Sequence, residues 1–325
     1  MTSQIKYQNK KIYVAGHTGM VGSAITNELK RRGYKNLILK NYPGLDLIRQ
    51  KEVEEFFKSE KLEVVIVAAA KVGGILANNT YRAEFIYDNL MIESNIIHNA
   101  YKVGVEKIIF LGSSCIYPKL APQPLKEEYL LSDYLEFTNE PYAIAKIAGI
   151  KLCENYYRQY GSNFYSVMPT NLYGPNDNFN LETSHVLPAL IRKFHEAKFK
   201  GQKEVTIWGT GKPLREFLFV EDLADAILFL LENIDSKDIY EKGISHLNIG
   251  TGKDLSINAL AKMISEITDF DGEVVNDTSK PDGTPRKLLD VSRINSLGWK
   301  YKTELKDGIV QTYDFFVKKY LQVEE

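Results

Sequence analysis

Cysteine is nearly absent from this 325-residue chain: only Cys115 and Cys153 occur. Two thiols cannot build a disulfide framework, and their scarcity fits a reducing compartment. An excess of either charge is missing too. Lys and Arg number 41 against 42 Asp and Glu, so nothing points to a polyanion partner, and any phosphate recognition must be local. No apolar run approaches the ~18 residues needed to cross a bilayer. The lysine-bearing segment 1–11 has no apolar signal core. The expectation is a soluble, cytoplasmic protein. No internal repeat or low-complexity segment occurs. What is present, 44% hydrophobic and 11% aromatic residues, suits a globular chain long enough for one large domain or two that share it.

Residues 11–15 form a β-branched and aromatic run, followed by Gly16, Gly19 and Gly22 and an apolar stripe through Ile25 and Leu29 that ends at Gly33. That is a strand, a glycine turn and a helix, whose spacing lets the backbone approach a pyrophosphate at a helix N-terminus. A glycine triplet alone marks only a tight turn; placed directly after the first strand of a β-α alternation it favours dinucleotide binding. A second strand at 37–39 leads to Lys40, with no acid until Asp46. A basic residue there accommodates a 2′-phosphate, so NADPH/NADP is favoured over NAD.

Residues 64–70 read as a fully buried parallel strand ending in three alanines. A long helix is expected over 80–103, burying Phe85, Leu90, Ile92, Ile96 and Ile97. The strand 107–111 then runs into Gly112, Ser113, Ser114 and Cys115, at the strand end where such sheets bind ligands. Cys115 alone would more often be a small buried hydrophobe. Tyr142 and Lys146 stand four apart on a helix expected from 139 to about 160, which puts a phenol and an ammonium on one face. A cation that favours phenolate makes such a tyrosine usable in proton transfer near neutral pH.

The strand 164–168 opens into Pro169, Thr170, Asn171 and Leu172, and the β-α rhythm then loosens. His185 begins a helical pattern, by default as a cap. Further along come Arg215 before a strand at 216–220, a helix at 221–231, a strand at 246–249, a helix from Ile257, a strand near Val274, and a loop at 279–287 carrying Lys280, Asp282, Arg286 and Lys287. The expected fold is α/β: a Rossmann-like doubly wound parallel sheet with a smaller α/β lobe. The cofactor domain would span 1–174 plus 216–249, and the lobe 175–215 plus 250–325.

Together Gly16, Gly19, Gly22, Ser113, Tyr142 and Lys146 resemble, in order and spacing, the extended short-chain dehydrogenases/reductases that act on nucleotide sugars. Longer words strengthen the likeness: Ala15 to Gly22, Gly112 to Pro118, Asn139 to Ala143, Pro169 to Tyr173, Arg215 to Phe217 and Lys280 to Lys287 are similar to the branch that forms GDP-L-fucose from GDP-4-keto-6-deoxy-D-mannose. The resemblance covers nearly the whole chain. It implies that Tyr142 donates a proton to the C4 oxygen, Lys146 lowers its pKa and binds the nicotinamide ribose, and Ser113 polarises the C4 carbonyl. Cys115 and His185 would be the base and acid of epimerisation.

For the cofactor the resemblance implies Gly16, Thr18, Gly19, Met20, Val21, Gly22, Lys40, Leu111, Gly112, Ser114, Lys146, Pro169, Thr170, Asn171, Leu172 and His185. For a GDP-sugar it implies Lys193, Trp208, Arg215, Asp282 and Lys287, with no metal and with a homodimer as the assembly. Lys193 and Lys40 each stand where some relatives carry Arg. Nearby alternatives are a 4,6-dehydratase, which typically carries an Asp-Glu pair where this chain has Ser114 and Cys115, and a 4-epimerase. A catalytically silent dinucleotide-binding regulator would usually have lost Tyr142 or Lys146, and both are present.

Overall fold

The computed structural model describes residues 6–280 and 282–321. Residues 1–5 of the polar segment 1–11, and Pro281 of the loop 279–287, lie outside the described residues. In chain order the strands are β1 (Ile12–Ala15), β2 (Leu37–Ile38), β3 (Val64–Val67), β4 (Lys107–Leu111), β5 (Phe164–Pro169), β6 (Asn171–Tyr173), β7 (Glu204–Trp208), β8 (Leu214–Phe219), β9 (Leu247–Ile249), β10 (Asp254–Ser256), β11 (Glu273–Asp277) and β12 (Arg286–Lys287).

Six of these form one parallel sheet in the order β2-β1-β3-β4-β5-β9. Successive strand residues point to opposite faces, and each face carries its own apolar core. Ile12 and Val14 pack with Ile25 and Leu29 of the helix Met20–Arg31 and with Leu223 and Ile227 of the helix Val220–Asn233. Tyr13 and Ala15 face Phe57, Ile96 and Ile150, from the helices Gln50–Glu60, Arg82–Val103 and Glu140–Tyr160. Each fully buried Leu or Ile contributes roughly 1.5–3 kcal/mol, which ties every helix to the sheet. The helix expected over 80–103 is Arg82–Val103; a short helix, Ile75–Thr80, precedes it, and the chain leaves helical geometry between them at Tyr81 (φ −103°, ψ 42°). No helix among the described residues is long and apolar enough to cross a membrane.

A smaller sheet runs β10-β8-β12 with β6 beside β8, and β11 pairs with β7. Its core holds Leu190, Phe194, Phe217, Phe219, Leu260 and Ile264. The strand expected at 216–220 is therefore part of this sheet, not of the cofactor layer. β6 leaves the large sheet straight after β5 and takes β8 as its parallel neighbour, with Asn171 opposite Phe217. The C-terminal third also divides: Leu289, Ile294 and Trp299 sit in the cores of the large sheet, although the expected boundary put 250–325 in the lobe. Within the loop 279–287, Arg286–Lys287 form β12, parallel to Leu214 and Arg215.

Candidate active site

Because all six strands run the same way, their carboxyl ends share one rim, and the strand order reverses between β1 and β3. That is the switch point where such sheets leave a crevice. Gly16 follows β1 with φ +81°, a left-handed conformation that favours glycine. A Cβ on Gly16 would lie 2.8 Å from the Ala69 backbone after β3, and one on Gly22 would overlap the Gly16 carbonyl. Gly19 is the N-cap of the helix Met20–Arg31 and supplies no side-chain cap. The Nδ1 of His17 is buried without a partner. A bare backbone surface ending in a helix N-terminus fits a dinucleotide's diphosphate. Thr18, Met20 and Val21 lie on this turn, and Lys40 is exposed beyond β2.

The other expected cofactor positions lie along the same rim. The Leu111 carbonyl ends β4, Gly112 has no room for a side chain against Met168, and Ser114 is buried. After β5, Thr170 Oγ1 and Asn171 Nδ2 donate to the Glu216 carbonyl at 3.3 and 2.7 Å, fixing the crossover from Pro169 to Leu172.

Tyr142 and Lys146 share one face of the helix Glu140–Tyr160, as their spacing predicts. The Lys146 ammonium donates to the Leu111 carbonyl at 3.1 Å and lies 5.9 Å from the centre of the Tyr142 ring. It also lies 3.0 Å from Oε1 of Glu93, and the two side chains are 3% and 1% exposed. Lys146 is thus shared between a carbonyl and a carboxylate. Burial raises the Tyr142 phenol well above its ordinary pKa, and electrostatic interaction with Cys115 and Glu93 pushes it the same way; hydrogen bonding to Ser113 opposes them.

Cys115 sits in the short turn Ser114–Ile116, buried. Burial raises its thiol, opposed first by the charge of Lys287 and then by Ser113 and Lys146. His185 is the exposed N-cap of the helix Val186–Phe199. The enclosing protein lowers its imidazole, and Lys287 lowers it further. Lys287 therefore faces both groups, and a small cavity is lined by Ser114, Cys115, Glu136 and Lys287. The resting state is a protonated thiol with a neutral imidazole.

β12 places Lys287 in register with Arg215. Burial lowers both cations, and each feels the other or Asp282. Among the described residues neither forms an ion pair, and Arg215 donates only to the Leu214 carbonyl at 2.8 Å. Two unneutralised cations side by side suit a diphosphate. Asp282 acts as a brace: its Oδ1 and Oδ2 accept from the Thr210 amide and hydroxyl at 2.9 and 2.7 Å. Trp208, 60% exposed, offers a flat face with Lys193 and Lys280 at 6.0 and 5.7 Å. Lys193 also donates to the Thr206 carbonyl at 3.0 Å.

Sequence reasoning missed three carboxylates. Glu93 is a charge at a position whose helical period otherwise faces the core, which was a readable signal. Glu216 is fully buried and accepts from the amides of Thr251, Gly252 and Leu289, so it ties β8 to the chain on both sides. Asp177 is buried with Oδ2 unpartnered, which pushes it up to about 7, and nothing in its sequence context marks it.

The chain is 57% identical over 316 residues to GDP-L-fucose synthase 1 of Arabidopsis thaliana, covering 97% of this chain and 96% of that one. It is 54% identical over 311 residues to GDP-L-fucose synthase of Escherichia coli K12, with 95% and 97% covered. Among solved structures, MlghC, the GDP-mannoheptose C4 reductase from Campylobacter jejuni with NADP bound, superposes with a TM-score of 0.88 at 46% identity, covering 95% and 99%. The profile of the NAD dependent epimerase/dehydratase family matches residues 12–250. With its switch-point crevice, glycine turn and Ser-Tyr-Lys cluster, the chain belongs to the NAD dependent epimerase/dehydratase family.

Proposed function

We propose that the protein converts GDP-4-keto-6-deoxy-D-mannose to GDP-L-fucose by 3,5-epimerisation and NADPH-dependent 4-reduction. What supports this reading is that Lys287 acts on both Cys115 and His185, that Ser113 bonds to both Cys115 and Tyr142, and that Arg215 lies in register beside Lys287.

Arg215 and Lys287 would hold the diphosphate, with the base and ribose towards Lys193 and Trp208 and the Thr210 turn braced by Asp282. Ser113 and Tyr142 would donate to the C4 oxygen. Hydrogens on C3 and C5 are both next to that ketone, so stabilising the enolate makes both abstractable. At each of the two carbons Cys115 would remove the proton from one face and His185 return one to the opposite face. NADPH, when bound, supplies the hydride that C4 receives. Tyr142 then gives its proton to the oxygen, which a phenol held protonated by its surroundings is suited to do. The glycine turn 16–22, Lys40 and the rim from Leu111 to Ser114 and from Pro169 to Leu172 would hold the cofactor, with Lys146 and His185 reaching its nicotinamide side.

The division into a cofactor domain, 1–174 plus 216–249, and a substrate lobe is kept as a working proposal, amended so that β8 joins the lobe and 289–301 the larger core. A homodimer in the cytoplasm is proposed on the same basis as the activity. The paired helices of the large layer leave Tyr87 and Ile144 exposed, 57% and 42%, and sedimentation would test the pairing.

The deciding experiment is incubation with GDP-4-keto-6-deoxy-D-mannose and NADPH, with product stereochemistry read by NMR. GDP-L-fucose is expected. A C4-reduced product whose C3 and C5 retain their configuration would point to a reductase without epimerisation, and turnover only with a GDP-heptose would move the substrate.

A further inference from the structure

The Glu93–Lys146 pair is the feature of the cleft that the reaction scheme leaves without a task. Glu93 projects from the helix Arg82–Val103 into its interface with the helix Glu140–Tyr160, where apolar side chains surround it. A carboxylate placed there is costly unless a cation and hydrogen bonds meet it. Lys146 supplies the cation at 3.0 Å. The second provision is Gly149, in the interior of its helix, where glycine is disfavoured. A Cβ at that position would lie 2.4 Å from the Phe110 ring and 2.8 Å from Oε2 of Glu93. The helix thus leaves room where the Phe110 ring and this carboxylate meet.

We propose that Glu93 is a positioning residue of the reductive site: it anchors the Lys146 ammonium against the Leu111 carbonyl and the Phe110 ring, and keeps Tyr142 as the proton-donating phenol. The inference rests on Tyr142 being the proton donor. An unopposed ammonium beside a phenol favours phenolate, the form that accepts a proton and suits oxidation. A carboxylate paired with that ammonium restores the phenol, the form reduction consumes. The other charged or titratable groups facing Tyr142 and Glu93 are Cys115, with Lys287 behind it, and Cys153. Lys71 is held by Glu84 and Asp88, and Arg82 by Glu140, so neither replaces Glu93.

The test titrates Tyr142 in cofactor-free protein by phenolate absorbance, with Tyr142→Phe as the blank. Glu93→Gln is expected to lower its ionisation by about one pH unit or more, a tenfold change in the phenol-to-phenolate ratio, and to move the alkaline limb of the reduction rate down with it. Glu93→Asp keeps the charge and should titrate like the parent. Gly149→Ala keeps the carboxylate but crowds it, and should shift in the direction of Glu93→Gln by less. An unmoved titration in Glu93→Gln, or an equal shift in Glu93→Asp, overturns the proposal. If Glu93→Gln does not fold, an unmoved Gly149→Ala does so. Because the titration needs no turnover, it fails separately from the functional reading, which would fail as an absence of reduction by the parent protein.

Discussion

Two lysines reach into one cleft from different layers of the molecule, and their company differs. Lys146, on a helix of the large layer, is matched by Glu93 at 3.0 Å. Lys287, on β12 of the small sheet, lies beside Arg215 and forms no ion pair among the described residues, and its field falls on Cys115 and His185. A third lysine shows what a purely structural one looks like. Lys107, fully buried, donates to the Leu231 and Ile234 carbonyls at 2.9 and 2.8 Å and pairs with Asp235, capping the end of a helix. The lesson is that burial alone assigns no role. A neutralised cation organises its neighbours, whereas an unpaired one is left to act on whatever anion enters.

The sharpest break in that comparison is at the phenol. Tyr142→Phe should lower reduction by ~10²–10⁴-fold while solvent deuterium still washes into C3 and C5 and cofactor affinity holds. Reduction within tenfold of the parent would place the proton donor elsewhere. Next comes the unpaired cation. Lys287→Met should slow deuterium exchange and weaken substrate binding by ~10–100-fold, the worth of a charged hydrogen bond to an anion. Equal effects on cofactor binding would remove the distinction between the two lysines.

The pair that Lys287 faces can be read by pH. His185 is lowered from 6.5 and Cys115 raised from 9.0, so between the shifted values the two hold a single proton. The exchange rate should stay level beyond both ordinary values, falling only at lower pH when both are protonated and at higher pH when neither is. Cys115→Ser should abolish that alkaline limb, and an unchanged profile would take Cys115 out of the proton transfer. A smaller effect is expected at the rim, where Lys40→Ala should weaken NADPH over NADH by ~10-fold; equal losses would count against a 2′-phosphate contact.

A control outside the cleft touches stability, not rate. His246 is buried against the Tyr117 hydroxyl at 2.7 Å and lowered to about 3. Between pH 6.5 and that value the unfolded chain binds a proton the folded chain refuses, so stability falls as pH drops, by ~1.4 kcal/mol per unit from this group. His246→Gln should flatten the melting temperature against pH over that range relative to the parent. An identical slope would mean that another group carries it.

Much of this was legible along the chain because the signals are local. β1, the glycine turn and the helix Met20–Arg31 follow from period and from residues that admit a close backbone approach. Tyr142 and Lys146 are one helical turn apart, so their shared face needs no tertiary information. Glu93 and Glu216 escaped notice because what defines them, an ammonium from residue 146 and amides from residues 251, 252 and 289, lies far away in sequence. The assignment of β8 to the large layer failed for a related reason. A strand's own residues show that it pairs, and its neighbours decide in which sheet.

The sequence by itself determined the parallel α/β layer, the dinucleotide turn and the residue types that could handle protons, since each depends on neighbours within one turn or one strand. Only the tertiary structure decided their electrostatic state. It brought Glu93 to Lys146 and left Lys287 unpaired between Cys115 and His185. The reason is physical: a charge's effect depends on distance through space and on burial, and neither is a property of position along a chain.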